Sequence, residues 1–270
     1  MSDDQTVTRQ KTQILLNGCA GRLGGAIAGA VAEAEATCGC EIRAGVDIKV
    51  NISDAFPIFH SLADYTGHAD VIVDCSHHSA VTATGLLEYA RSHALPIVIC
   101  TTGHTPEEME LIKSAAREIP IFQSANMSIG VNLVASLAGK VAKLLYPDYD
   151  VEIVEAHHNR KLDAPSGTAL MLADAVNEAV GGGMEYVYDR RGLHAARDSH
   201  QLGISSIRGG TIVGEHEVIF AGRDEVIKLS HSAQSRELFA QGALLAVRYM
   251  TGKPAGYYTM QTLMEELMRN

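Results

Sequence analysis

Between Val151 and Leu170 the chain reads VEIVEAHHNRKLDAPSGTAL. A mainly apolar stretch, broken by Glu152 and Glu155, runs to Ala156, and then His157, His158, Lys161, Ser166 and Thr168 follow in close succession. A histidine at the end of a strand can titrate near neutral pH. A lysine shortly after it offers a fixed positive charge or, if its pKa is lowered, a proton. Pro165 then precedes Ser166, whose side chain suits the cap of a helix starting at Gly167-Thr168. The backbone N–H groups of that helix start, with the Thr168 hydroxyl, form an anion seat that fits a carboxylate. Arg160 and Arg208 can add charge. Set against a nicotinamide, this group suits hydride transfer to a small carboxylated molecule, with the balancing proton coming from histidine or lysine. Read in isolation, the same letters also describe a polar His-His cluster beside an ordinary helix entry.

A dinucleotide seat is legible near the N-terminus. NGCAGRLGGAI follows an apolar run and opens a helical pattern, placing Gly18, Gly21 and Gly24 at equal spacing with Cys19, Ala20, Arg22 and Leu23 between them. Such glycines permit a tight turn, close backbone approach to a pyrophosphate, and close helix–strand packing, with the phosphate at the helix N-terminus. Ala20 stands where the usual fingerprint has its second glycine, so the context carries the reading. Asp47 ends the next apolar run, where an acid is expected to hold the adenine ribose. Thr101-Thr102-Gly103 and Ser124-Ala125-Asn126 each close a later apolar run. Strand carboxyl ends line the ligand crevice of open α/β sheets. His77 and His78 lie on the same edge as rim residues.

The elements that must position these groups follow from periodicity. Apolar runs at Thr12–Gly18, Glu41–Asp47, Ala69–Ser76, Pro96–Gly103 and Pro120–Met127 alternate with helical patterns at Gly21–Ala36, Ser79–His93 and Thr105–Glu118. In the last of these, Thr105 caps and Pro106 takes the first helical position. This β-α-β rhythm predicts a Rossmann-type, doubly wound parallel sheet with helices on both faces. The rhythm then changes: a long amphipathic helix at Ser128–Leu145, the strand at Val151, a helix at Gly167–Val180 stopped by Gly181-Gly182-Gly183, and alternating runs at Gln201–Gly222 and Asp224–Ala233. Another helical pattern follows at Ser235–Met250. The alternation predicts an α+β domain with an open antiparallel or mixed sheet. The expected organisation is a dinucleotide-binding domain over 12–126 and a second domain over 127–236.

Composition narrows the partners. The 270 residues are 46% hydrophobic and 20% charged, with a formal net charge of -10, which argues against nucleic acid as a partner. No apolar run approaches the ~18 residues of a membrane span, and the polar N-terminus, read as a short disordered leader, lacks a signal-peptide layout. The five cysteines, at 19, 38, 40, 75 and 100, fit reduced cytoplasmic thiols. Cys38-Gly39-Cys40 has no second ligand pair at zinc spacing, so no metal is expected.

The stretch EAHHNRKLDAPSGTA (Glu155 to Ala169) resembles the signature of the 4-hydroxy-tetrahydrodipicolinate reductase family, also called dihydrodipicolinate reductase. NGCAGRLG resembles that family's cofactor loop, CTTG (from Cys100) its third nucleotide segment, SANMSIGVN its interdomain crossing, and IRGGTIVGEHEVIF a strand region of its substrate domain. The resemblance implies reduction of a cyclic, unsaturated dicarboxylate in lysine and diaminopimelate synthesis, using NADH or NADPH. It implies His157 as proton donor or acceptor, Lys161 as proton donor, and His158 as a substrate contact. Gly167-Thr168, with Ser166, become the seat of one carboxylate, and Cys100 and Met127 join the cofactor contacts. It further implies a homotetramer assembled through the second domain, with the C-terminal segment 237–270 packing back on the first. Leu23 stands where methionine is common in the family, and Cys100 where a small glycine is. Two rival readings are a two-domain dehydrogenase acting on aspartate or homoserine and a non-catalytic dinucleotide-binding redox sensor; neither gives the His157/Lys161 pair a part.

Overall fold

The computed structural model describes residues 11–34, 39–49 and 55–269. The expected N-terminal leader, Cys38, the end of the first helical pattern and part of the stretch after Asp47 lie outside the described residues.

Strand β1 (Thr12–Asn17) leads into helix α1 (Arg22–Glu33), followed by β2 (Cys40–Val46), β3 (Ile58–Phe59) and a 3-10 turn at Leu62–Asp64. Then come β4 (Val71–Asp74), α2 (Ala80–Ala83), α3 (Leu86–Ser92), β5 (Ile97–Ile99), α4 (Pro106–Ala115) and β6 (Pro120–Gln123). The next stretch holds α5 (Ile129–Leu145), β7 (Asp150–His157), α6 (Gly167–Ala179), β8 (Glu185–Val187), β9 (Gln201–Arg208), β10 (Gly214–Ala221) and β11 (Val226–Ala233). The chain ends with α7 (Glu237–Met250), β12 (Gly256–Tyr258) and α8 (Met260–Arg269). Two compact units result: residues up to Met127 with those from Glu237 onward, and Ser128–Arg236.

In the first unit seven strands lie in the order β12-β6-β5-β4-β1-β2-β3, every pair parallel. The central strands are apolar on both faces because both are covered: Ile14, Leu15, Leu16, Ile72, Val73, Ile97, Val98 and Ile99 are fully buried. On α1, Ile27 and Val31 sit four residues apart and face inward. The order turns on β1, whose neighbours β2 and β4 run away on either side, so their carboxyl ends open a crevice at the switch point. Helix α4 begins as its sequence directs, with a Thr105/Glu108 capping box and Pro106 in the first turn. The single helix expected over Ser79–His93 is two, because Gly85 takes a left-handed φ of 67° between α2 and α3. Most strands are shorter than the apolar runs that announce them; β5 stops at Ile99 and leaves Cys100 to Gly103 in the connecting loop.

The second unit holds a five-stranded mixed sheet, β11-β10-β7-β9-β8, antiparallel at β11/β10 and β10/β7 and parallel at β7/β9 and β9/β8. Helices α5 and α6 cover one face. Val134, Ala138, Leu172 and Val176 pack there on Val151, Ile153, Leu202, Ile204, Val218 and Phe220. Gly139 brings the helices close, since a Cβ at that position would lie 3.2 Å from the Ala175 carbonyl. Strand side chains alternate with period two. The face that buries Val151 and Ile153 therefore continues to Glu155 and His157, and that of Leu202 and Ile204 to Ser206 and Arg208. His216 continues the row of Val218 and Phe220. The core runs out, and polar groups take its place on the same face.

Candidate active site

At that end of the second unit, Glu155 is fully buried and satisfied on every side. Arg208 grips it with both Nη atoms, at 2.8 Å to each carboxylate oxygen. His157 Nδ1 stands 2.6 Å from Oε2, and the Ser166 backbone N–H donates to Oε1 at 3.1 Å. Burial works to raise the Glu155 pKa. The Arg208 guanidinium, the Ser206 hydroxyl, His157 and the Ser166 N–H outweigh it and hold the carboxyl at about 2. Glu155 is therefore an anion at any working pH.

Ser166 is the N-cap of α6: its Oγ accepts the Ala169 N–H at 3.2 Å and lies 3.0 Å from His216 Nε2. His216 is 5% exposed, and burial, followed by the neighbouring His157, pushes its pKa down to about 4. The His157 and His216 rings meet edge-on at 5.1 Å. The start of α5 reaches the same end, because a Cβ on Gly130 would lie 2.7 Å from the ring of His231, the ladder partner of His216. Two helix N-termini thus bring their positive ends to one cluster of imidazoles. Lys161 is partly buried, with Nζ 2.8 Å from the Asp163 carboxylate. The Asp163 carbonyl in turn accepts from Arg208 at 2.6 Å. His158 Nδ1 is buried with no hydrogen-bond partner among the described residues.

In the first unit the strand ends meet around a second buried carboxylate, Asp74. Asn17 donates to it at 2.7 Å, Ser76 at 2.6 Å and Thr101 at 2.6 Å, tying the carboxyl ends of β1, β4 and β5 together. Gly18, at φ 81°, passes so close to the neighbouring strand end that a Cβ would lie 2.7 Å from the backbone of Cys75 and Ser76. A Cβ on Gly24 would collide with the Gly18 carbonyl and lie 2.8 Å from Cys19 Cα. Helix α1 starts at Gly21 with no side-chain cap and no acidic residue in its first turn. Its first N–H groups therefore suit an anion. The Asp47 carboxylate accepts from the Ala20 N–H at 3.0 Å and the Lys49 N–H at 2.9 Å, holding the loop against the end of β2. This cradle fits a dinucleotide.

Models of the dihydrodipicolinate reductase N-terminus and C-terminus match residues 12–127 and 130–264. A 4-hydroxy-tetrahydrodipicolinate reductase from Caldanaerobacter subterraneus subsp. tengcongensis is 46% identical, covering 94% of this chain and 98% of that protein. The chain belongs to the dihydrodipicolinate reductase family. Another family member, the 4-hydroxy-tetrahydrodipicolinate reductase of Clostridium tetani, is 45% identical over 93% of this chain and 96% of its own. The fold is that of a solved dihydrodipicolinate reductase from Paenisporosarcina sp. TG-14, described as dipicolinate bound. Its TM-score is 0.74 at 24% identity, with 92% of this chain and 97% of that one covered.

Within this family member, the structure gathers Gly18 to Leu23, Asp47, Cys100 to Thr102 and Ser124 to Asn126 along one sheet edge. Met127 is buried, its carbonyl packed on Gly242 of α7. Cys100 is buried too and shares a thiol hydrogen bond with Cys75; that bond, then burial, raises the Cys75 pKa well above its ordinary value. His78 pairs with Glu108 at 2.9 Å, which makes it part of the α4 cap. Arg208 does not offer its charge outward as the sequence suggested, because both Nη atoms are taken by Glu155. The Ser166 hydroxyl is engaged inside, at 2% exposure. Sequence reading passed over Asn17, Asp74, Ser76, Glu155 and His216. The available signal was a carboxylate inside or closing an otherwise apolar strand, at Asp74 and at Glu155.

Proposed function

We propose that this protein reduces 4-hydroxy-tetrahydrodipicolinate to tetrahydrodipicolinate with a nicotinamide cofactor, the 4-hydroxyl leaving as water, a step of lysine and diaminopimelate biosynthesis. The observation that carries the reading is that the family match spans both units while the box from Glu155 to Ala169 folds into one connected ionisable cluster. The glycine loop, the uncapped start of α1, Asp47 and the loops after β5 and β6 hold the cofactor. When bound, the nicotinamide supplies a hydride. The protein's own groups do the rest. The first N–H groups of α6, with Thr168, seat one substrate carboxylate, as a helix N-terminus does for anions. His158 contacts the substrate, and its unpartnered Nδ1 is suited to that. His157 gives and recovers the proton that accompanies the hydride, and Lys161 serves as a further donor.

Both NADH and NADPH are accepted, with a modest preference for NADH. The protein works in the cytoplasm as a homotetramer, assembled through the second unit's sheet; the exposed Val226 on β11 and Ile207 on β9 are apolar side chains available to such a contact. The test is spectrophotometric: nicotinamide oxidation at ~340 nm with freshly made 4-hydroxy-tetrahydrodipicolinate, alongside aspartate and homoserine with the oxidised cofactor. Substrate-dependent oxidation with the first alone is expected. Tight cofactor binding without turnover would overturn the reading, and sedimentation as a single chain would overturn the tetramer.

A further inference from the structure

We propose that Glu155, gripped by Arg208, is the positioning residue of the reduction: one buried carboxylate that fixes the tautomer of His157 and sets it in register with the anion seat and with Lys161. The inference rests on the reading of His157 as the proton donor and deepens it.

The geometry is specific. Carboxylate oxygen Oε2 faces His157 Nδ1 at 2.6 Å, and Oε1 takes the N–H of Ser166, the residue that caps α6, at 3.1 Å. Arg208 bonds both oxygens and also reaches the carbonyl of Asp163, whose carboxylate holds Lys161. Three parts of the site therefore hang from a single ion pair: the imidazole, the head of the carboxylate-binding helix, and the lysine turn. All three belong to the second unit; His157 meets Glu155 from two residues along the same strand face, whereas Arg208 arrives from 53 residues away.

The chemistry follows. An ionised carboxylate only accepts hydrogen bonds, so the nitrogen facing it must carry a proton. In neutral His157 that nitrogen is Nδ1, which leaves Nε2 as the atom that takes or gives the travelling proton. Nε2 borders Gly214, where a Cβ would lie 3.1 Å away. When His157 is cationic both nitrogens are protonated. Losing the Nε2 proton returns the ring to the Nδ1–H tautomer with its bond to Glu155 intact. No ring flip is needed between turnovers. Arg208 keeps Glu155 from becoming the proton acceptor itself, because its guanidinium covers both oxygens.

The experiment is a double-mutant cycle on the full-length enzyme, with bound-nicotinamide fluorescence as the check on folding. Glu155→Gln should lower kcat by about 10²-fold, in the range of a mis-set acid–base group, while cofactor affinity stays within about twofold. In a His157→Gln background the same change should cost no more than about twofold, because a positioning residue acts through the group it positions. Losses that multiply would mean that Glu155 only supports the fold, and would overturn the inference. If Glu155→Gln fails to fold, two further readings keep the inference exposed. Long-range 1H–15N spectra of the unmutated enzyme must place the proton of neutral His157 on Nδ1; an Nε2–H tautomer overturns it. Arg208→Lys, which keeps the charge and loses the fork, must lower kcat more than it raises KM. Should His157→Gln itself turn over normally, the donor reading falls and this inference with it, whereas normal His157 dependence with a fully active Glu155→Gln defeats the inference alone.

Discussion

Each unit buries one carboxylate at a strand's carboxyl end, and the company each keeps is different. Asp74, in the first unit, is surrounded by uncharged donors: the Asn17 amide and the Ser76 and Thr101 hydroxyls. Glu155, in the second, is held by a guanidinium and an imidazole. Both arrangements satisfy a buried anion, as they must. Neutral donors, however, only fix positions. They lock three strand ends into a frame whose working surface is backbone, shaped by absent side chains at Gly18, Gly21 and Gly24. A cation and a titratable ring can also move charge. The first site is a matter of shape and the second a matter of protonation, and that division predicts which measurements each will disturb.

The largest effects should separate along this line. His157→Gln and Lys161→Ala should each cut turnover by about 10²–10⁴-fold, the usual contribution of a general acid or base, with cofactor affinity nearly unchanged. Gly24→Ala should do the reverse. Its Cβ meets the Gly18 carbonyl and the Cys19 backbone, which cannot yield as a flexible side chain can. The loop must shift, at an overpacking cost of about 1–3 kcal/mol, and the cofactor dissociation constant should rise before any change in acid–base behaviour. A Gly24→Ala protein with normal cofactor affinity and depressed turnover would break the comparison.

A smaller effect concerns acid stability; burial lowers His104 of the first unit in the same sense, but the larger shift lies in the second unit. In the unfolded chain a histidine takes its proton near pH ~6.5. Folded His216, buried and beside His157, resists until about 4. Between those values the unfolded state binds the extra proton, so stability falls as pH drops through this window. Burial lowers His231 in the same direction. Below about 4.5 Glu155 adds a further loss, since its folded pKa of about 2 lies under the ordinary carboxylate value and its stabilisation disappears on protonation. His216→Gln, which can still meet Ser166, should flatten the dependence between about pH 6.5 and pH 4. Urea denaturation across that range reads the slope, and an unchanged slope rules out His216 as its source.

The same contrast explains what the sequence disclosed. Parallel strands covered on both faces are uninterrupted apolar runs, so Leu15 and Leu16, Ile72 and Val73, and Ile97 and Val98 announced their strands plainly. The glycine loop and the His157–Lys161 box are local in sequence and were legible for that reason. What escaped is either too short to show a period, such as Ile58–Phe59 and Gly256–Tyr258, or depends on register across the sheet. Asn17 reaches Asp74 across 57 residues, and Arg208 reaches Glu155 across 53. Alternation told which face Glu155 occupies; it could not tell which strand would arrive beside it with a guanidinium. Gly85 escaped for another reason, since one left-handed residue divides a helix without altering its apolar pattern.

The smallest effect expected lies at the rim of the first site, in the choice of nicotinamide. Asp47 is held beside the glycine loop by two backbone N–H groups, one on each oxygen. On the cofactor reading proposed above, each oxygen would have a lone pair left for the adenine ribose hydroxyls of NADH, while the charge would repel the 2′-phosphate of NADPH. The next residue, Ile48, is 76% exposed and offers phosphate no partner. Arg22 and Lys49 are exposed on either side and free to reach a phosphate. A charge-assisted hydrogen bond from one of them is worth roughly 1.5–3 kcal/mol, which offsets much of the repulsion. The balance should therefore favour NADH by about tenfold or less, or about 1.4 kcal/mol. Asp47→Ala should weaken both cofactors by releasing the loop, yet shift the ratio of kcat/KM values toward NADPH. Arg22→Ala should shift it toward NADH without disturbing the loop. Measuring both ratios separates charge from scaffolding. A native preference for NADPH above about a hundredfold, equivalent to about 2.8 kcal/mol, would mean that Asp47 serves the loop alone and leaves the ribose to other groups.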